Sequence, residues 1–298
     1  MTPGALPMRS LLFVPADSER KLARAMSAGA DMLILDLEDS VAAANRPTAR
    51  RLAAEFIGAN KGKAAKLYVR INPLDGPDWE ADLAGVMAAG PDGIIQPKPN
   101  SGDDVHRLSI ALDHAEVRHG LVRGHTRILP IVTETPLSVL QLPSYVGAST
   151  RVVAMSWGAE DLGAVVGSLA NREADERFTG PYQLVRNLCL FTAAAAGCEP
   201  IDTVYVNFRS EAGLRREAEE AKRDGFTGKI AIHPDQVAPI NAVFTPTAAE
   251  VAHAHRVQGA FVTAGNAGVA SLDGQMLDRP HLKLADRVLT RAKAAGIV

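Results

Sequence analysis

Apolar residues fall along this chain in short unbroken runs, each ending abruptly in polar or turn-forming residues. Runs at 10–14, 32–36, 67–71, 93–97, 128–132, 152–155, 203–207 and 229–233 fit this description. A strand covered on both faces has no solvent side, so it reads as an apolar run rather than an alternation. The segments between the runs carry helical spacing. Leu22, Ala25, Met26 and Gly29 recur at i, i+3, i+4 and i+7 behind a cap at Asp17 or Ser18. Further helices are expected near 48–57, 79–89, 103–118, 182–196 and 214–223, with a polar loop at 171–180. Strands alternating with helices in this way predict a (β/α)8 TIM barrel over residues 8–245. A doubly wound open sheet is the competing architecture; the lack of a GxGxxG turn after any strand weighs against it.

Residues 246–298 read as a C-terminal helical and hairpin extension. Thr247-Ala-Ala-Glu250 is a capping box, Asp273-Gly274 is a two-residue hairpin turn, and a last helix starts at Pro280. A piece this small is not expected to stand as an independent domain, so it should pack on the barrel or on a neighbouring subunit. Residues 1–7 read as a loose tail.

Composition narrows the function classes. The 298 residues are 47% hydrophobic and 22% charged, with a formal charge of −2, so no global basic surface argues for nucleic acid. Cys189 and Cys198 form no CxxC, which suits a reducing compartment and reads as inert. The apolar run at 11–14 is far too short for a signal peptide or a span, so a cytoplasmic location without membrane contact is expected.

Active sites of such barrels lie at the C-terminal ends of the strands. The polar residues there are Asp36, Glu38 and Asp39 after the second run, Arg70 and Asn72 at the third, and Gln96 and Lys98 at the fourth. Glu134 follows the fifth, Glu160 and Asp161 the sixth, Asn207 the seventh and His233 the eighth. Glu134 and Asp161 follow neighbouring strands, and a carboxylate pair there suits a hard divalent cation, Mg²⁺ above all. The same two residues could simply cap the helices behind them. An Arg and a Lys facing an acidic group would bind a small carboxylate beside the metal, Arg70 with a two-pronged grip. Arg70 could equally be a structural partner of Asp36 or Glu38. Met155 and Trp157 read as barrel core or pocket wall.

Several ordered motifs carry a resemblance. Arg9-Ser-Leu-Leu-Phe-Val-Pro15, Asp36-Leu-Glu-Asp-Ser-Val41, Val69-Arg-Ile-Asn72, Gly158-Ala-Glu-Asp-Leu162 and Gly228-Lys-Ile-Ala-Ile-His-Pro234 together resemble the CitE-like acyl-CoA lyases. That group, within the HpcH/HpaI aldolase family, includes the citrate lyase β-subunit, malyl-CoA lyase and citramalyl-CoA lyase. The resemblance covers about 9–290. It implies Glu134 and Asp161 as ligands of Mg²⁺ (or Mn²⁺) and Arg70 on the substrate carboxylate and nascent oxyanion. Lys98, Glu38 and Asp39 would line the substrate site. Asp278, in Met276-Leu-Asp-Arg-Pro280, matches an acid/base that lyases of this group supply from a neighbouring subunit, which implies a homo-oligomer, trimer or hexamer. Lys21 and Arg24, with His233, would meet coenzyme A. Blander readings stand beside these: Lys21 and Arg24 as a solvated helix face, His233 as the close of a strand, Asp278 as a helix cap.

Two departures, Gln96-Pro-Lys-Pro99 for a more apolar strand end and Ser210 for an Asp frequent in relatives, bear on the substrate more than on the reaction class. The implied reaction is Mg²⁺-dependent cleavage of a β-hydroxyacyl-CoA to acetyl- or propionyl-CoA and a 2-oxoacid, glyoxylate or pyruvate. The alternatives are a malyl-CoA thioesterase, a citrate lyase β-subunit acting on an acyl-carrier-protein thioester, or a non-catalytic binding barrel.

Overall fold

The structure, a computed structural model, describes residues 7–63, 65–265 and 267–298. All but the last residue of the expected N-terminal tail lies outside the described residues. Eight strands line one parallel sheet: β1 (Ser10–Pro15), β2 (Met32–Asp36), β3 (Lys66–Arg70), β4 (Gly93–Gln96), β5 (Arg127–Pro130), β6 (Ala154–Ser156), β7 (Glu199–Asp202) and β8 (Gly228–Ala231). Their order is β5-β4-β3-β2-β1-β8-β7-β6. The ends meet through isolated parallel bridges, Ile128 with Val152 and Ile131 with Ser156, so the sheet closes into a (β/α)8 barrel. Leu33, Ile34, Leu35, Ile94, Ile95, Ile128 and Leu129 are wholly buried, as strands covered on both faces must be.

The helices follow the expected spacing. They are α1 (Glu19–Met26), α2 (Arg46–Asn60), α3 (Trp79–Val86), α4 (Gly102–Arg118), α5 (Pro136–Leu140), α6 (Glu160–Val166), α7 (Gly180–Ala196), α8 (Glu211–Asp224) and α9 (Val237–Phe244). Ser18 caps α1 by accepting from the Lys21 amide, and Ser210 caps α8 by accepting from the Gly213 amide at 3.2 Å. Among the described residues no helix is long and apolar enough to cross a membrane.

The seventh strand corrects the sequence reading. The run 203–207 is β-branched and alternating, yet the strand is Glu199–Asp202, one segment earlier. Pairing decides it: the β7–β8 ladder is Ile201 with Gly228 and Asp202 with Lys229, and no ladder partner remains for 203–207. That segment is instead an irregular loop, held by Gln236, whose amide donates to the Tyr205 carbonyl at 2.8 Å.

An ionic layer lies between β7/β8 and the helices α7 and α8. The fully buried Lys229 ammonium donates to Asp202 and to Glu217, each at 2.7 Å. Asp202 also accepts from the Trp157 indole at 2.8 Å and lies 3.4 Å from the Arg186 guanidinium. Burial alone would push the Asp202 carboxyl up, but the Lys229 charge overrides it and holds the group below its ordinary value.

Residues Arg9–Asn241 form one compact unit and Ala242–Val298 belong to a second. In the second, α10 (Ala248–Thr263) opens on a capping box between Thr247 and Glu250. It packs with the hairpin β9 (Val269–Leu272) and β10 (Gln275–Asp278) and with α11 (Arg279–Ala294) around a core of Val257, Phe261, Ala270, Leu277 and Ala285. Asp273 and Gly274 both take positive φ, 52° and 79°, as the two central residues of a hairpin turn with the right-handed strand twist require.

Candidate active site

The β2–β3 register sets Asp36 directly beside Arg70. Both are buried, and Asp36 accepts from Arg70 Nε at 2.6 Å and from Nη2 at 2.7 Å. The guanidinium also lies over the Phe13 ring, 4.4 Å from its centroid. Arg70 is therefore the structural partner of Asp36; its remaining nitrogen, Nη1, lies 3.0 Å from Glu38 and 3.4 Å from Asp39.

Beyond β4 the chain turns at Lys98 in the left-handed region, φ 48°, which non-glycine residues seldom occupy. This turn points the Lys98 amide at Glu134 Oε2, 2.6 Å away, and sends its side chain back over the barrel mouth. There the ammonium touches Glu38, lies 3.2 Å from Asp39 Oδ2 and 3.2 Å from Asp161 Oδ1. Four carboxylates from the ends of β2, β5 and β6 thus converge on one lysine.

Glu134 does not cap α5. That role belongs to Thr135, whose hydroxyl accepts from the Ser138 amide at 3.0 Å. Glu134 is instead sealed in: a Cβ on Gly158 would stand 2.7 Å from its Cγ, so only glycine fits there. Burial, then the neighbouring Asp161 charge, pushes the Glu134 carboxyl up to about 8. Burial likewise lifts Glu38 to about 7, in spite of Arg70 and Lys98 beside it. Glu38 Oε2 is buried without a hydrogen bond of proper geometry.

The remaining candidates separate. Asn72 is a buried clamp, donating to Leu37 and Asp82 at 3.0 and 2.8 Å. Gln96 is fully buried, and neither end of its carboxamide has a hydrogen-bond partner among the described residues. Glu160 is exposed and accepts from Asn171 at 2.8 Å. Asn207, expected at a strand end, is exposed well beyond β7 because the strand stops at Asp202. Met155 and Trp157 are buried core.

Lys21 is exposed on α1. Arg24 and His233 are both brought to Asp235, at 4.0 and 3.4 Å. His233 also caps the turn after β8, its Nδ1 accepting from the Asp235 amide at 3.3 Å, and stacks on Phe208 with ring centroids 5.0 Å apart. In the second compact unit Asp278 stands at the N-cap of α11, 2.6 Å from His281 Nδ1. It pairs with Val269 across the hairpin, one step from the Leu277–Ala270 pair that faces the unit's core. Successive side chains alternate between faces, so Asp278 lies on the outward side.

Among the described residues no three His, Cys, Asp or Glu side chains form a closed metal cage. A pair of carboxylates is nevertheless the donor set that Mg²⁺ commonly uses, with water and substrate completing its shell. The oriented Glu134 and the nearby Asp161 fit that need.

The chain matches the family described as HpcH/HpaI aldolase/citrate lyase over residues 9–234. It belongs to that family. The citrate lyase subunit beta of Haemophilus influenzae is 36% identical over 289 residues, spanning 96% of this chain and 97% of that protein. A (3S)-malyl-CoA thioesterase of Cereibacter sphaeroides is 34% identical over 299 residues, spanning 99% and 98%. The structure of CitE from Mycobacterium tuberculosis in complex with magnesium, acetoacetate and coenzyme A superposes with a TM-score of 0.77 at 31% identity, covering 97% of this chain and 98% of that one. This HpcH/HpaI-family chain is thus an enzyme whose relatives include a lyase subunit and a thioesterase.

Proposed function

We propose that the protein is a divalent-metal-dependent carbon–carbon lyase. Its substrate would be a β-hydroxyacyl-CoA of the malyl-CoA or citramalyl-CoA type, cleaved reversibly to acetyl- or propionyl-CoA and glyoxylate or pyruvate. The observation that carries this reading is the gathering of Glu134 and Asp161 about Lys98, whose backbone amide donates to the first and whose ammonium lies 3.2 Å from the second, with Arg70 beside the same acidic cluster. The magnesium, acetoacetate and coenzyme A bound in the mycobacterial CitE support it.

Glu134 and Asp161 would hold Mg²⁺ or Mn²⁺, which when bound supplies a Lewis acid for the carbonyl that develops on cleavage. Arg70, locked by Asp36, would present Nη1 to the substrate carboxylate. Asp278, from the outward face of its hairpin in a neighbouring chain, would act as the acid/base that carries the proton lost by the carbinol hydroxyl to the α carbon of the departing thioester enolate. Lys21, Arg24 and His233 would meet the coenzyme A moiety. In this reading residues 8–245 make the catalytic barrel and 246–298 the extension that completes a neighbour's site in a homo-oligomer.

The Cereibacter relative supports a second reading, thioester hydrolysis of malyl-CoA. Incubation with malyl-CoA and Mg²⁺ separates the two. Acetyl-CoA with glyoxylate supports the lyase; free thiol with malate supports the thioesterase; neither product overturns both.

A further inference from the structure

We propose that Lys98 is a resident counter-ion of this site, and that a divalent cation enters by displacing its ammonium from the carboxylates. The proposal rests on the metal-dependent reading above and adds to it a residue that sets how readily the site loads.

The geometry is that of a side chain anchored at one end and free to swing at the other. The backbone of Lys98 is fixed: its amide donates to Glu134 at 2.6 Å, and its φ of 48° is one of only three positive values among described non-glycine residues. A left-handed turn at a side chain this long is maintained against its steric preference, which marks a position where the structure needs that direction. The side chain then runs to Glu38, Asp39 and Asp161, with 24% of it still open to solvent. A flexible four-carbon stem ending in a compact charge can leave such a position without moving the backbone.

Charge opposes coexistence. The ammonium lies 3.2 Å from Asp161 Oδ1, one of the two carboxylates expected to ligate the metal. A divalent cation on that oxygen would stand within a few ångströms of the ammonium, and two cations that close repel strongly in a partly buried site. Exchange is therefore one cation out and one in. The free form must release Lys98 before it binds metal, which weakens apparent affinity by the fraction of time the site is open. The freed ammonium remains at the barrel mouth, available to an anionic group of the substrate.

The experiment titrates Mn²⁺, as the probe, into the full-length wild type and the Lys98→Met and Lys98→Gln variants, following binding by calorimetry. Both substitutions retain the backbone amide that orients Glu134. Mn²⁺ should bind the variants more tightly, by about tenfold or more, since the competing charge is gone. In parallel, wild-type protein is treated briefly with an amine-acylating reagent, with and without saturating Mn²⁺, and Lys98 labelling is read by peptide mass spectrometry. Labelling of Lys98 should rise when Mn²⁺ is present. Equal or weaker Mn²⁺ binding by the folded variants, or unchanged labelling of wild type that does bind Mn²⁺, overturns the displacement and leaves the metal site standing. Absence of Mn²⁺ binding by wild type and variants alike overturns both.

Discussion

Arg70 grips Asp36 through two hydrogen bonds of 2.6 and 2.7 Å, and that grip leaves only Nη1 facing the cluster of Glu38 and Asp39. One guanidinium thus serves the barrel wall and the mouth at once.

Arg70→Lys should lower kcat/KM severely although the charge is kept. A point-like ammonium cannot hold Asp36 and a substrate carboxylate together. Loss of one charge-assisted hydrogen bond corresponds to about 1.5–3 kcal/mol, or roughly ten- to a hundredfold in rate. Steady-state kinetics on malyl-CoA provide the check; near-normal constants would confine Arg70 to its partnership with Asp36.

Glu134→Gln and Asp161→Asn should each abolish turnover while leaving the circular dichroism of the protein intact. The amides keep shape but remove a charge from an oxygen-ligand site. Exhaustive chelation should silence the wild type in the same way, and Mg²⁺ should restore it. Activity that survives chelation would remove the metal from the reaction.

Lys229→Met should destabilise the protein by about 3–5 kcal/mol, because it removes the buried cation that Asp202 and Glu217 share. Denaturant unfolding measures this directly. A midpoint close to wild type would mean that Arg186 alone compensates Asp202.

Metal-free protein should be most stable in mildly acidic solution. Burial raises the Asp36 carboxyl, but hydrogen bonding from Arg70 outweighs it, and Lys229 does the same for Asp202; both groups are depressed in the fold. Their contribution is present above the unfolded value of about 3.9 and vanishes as pH falls through the lower folded values. Glu38 and Glu134 work oppositely, raised to about 7 and 8. Their contribution is full below the unfolded value of about 4.3 and is lost as pH climbs from there through the raised folded values. Tm measured without metal should therefore peak near about pH 4 and decline on both sides. A Tm that rises steadily to pH 9 would contradict the burial of Glu134.

Mixing Glu134→Gln with Asp278→Asn, after dissociation and reassociation, should recover part of the wild-type rate if sites are shared between chains. The outward placement of Asp278 on its hairpin motivates the test. Verified mixed oligomers that stay inactive would place Asp278 in its own chain's chemistry or outside catalysis.

The strands were legible because covered parallel strands must be apolar, and β2 falls where its run of apolar residues does. The seventh was misplaced because Thr203, Val204 and Val206 favour strands locally, whereas pairing with β8 ends at Asp202. Local preference yields to the ladder when the two disagree. At the site, acidic residues after strand ends announced Glu134, Asp161 and Glu38. Lys98 was expected to face this acidic group; its individual contacts were not legible, since they depend on a left-handed turn that a lysine seldom makes. Nor was the Lys229 layer, whose partner Asp202 is 27 positions away.

The barrel wall is joined between β5 and β6 by isolated bridges rather than a continuous ladder. Glu134 leaves β5 and Asp161 leaves β6 at that same join. A cation shared by the two would act as a rivet across the thinnest part of the wall. The amides of Val132 and Val153, which cross the join to Ser156 and Ile128 at 2.8 and 3.2 Å, would then exchange with solvent more slowly. Occupancy of the site and the mechanical integrity of the cylinder would become a single quantity, readable by hydrogen exchange without any substrate.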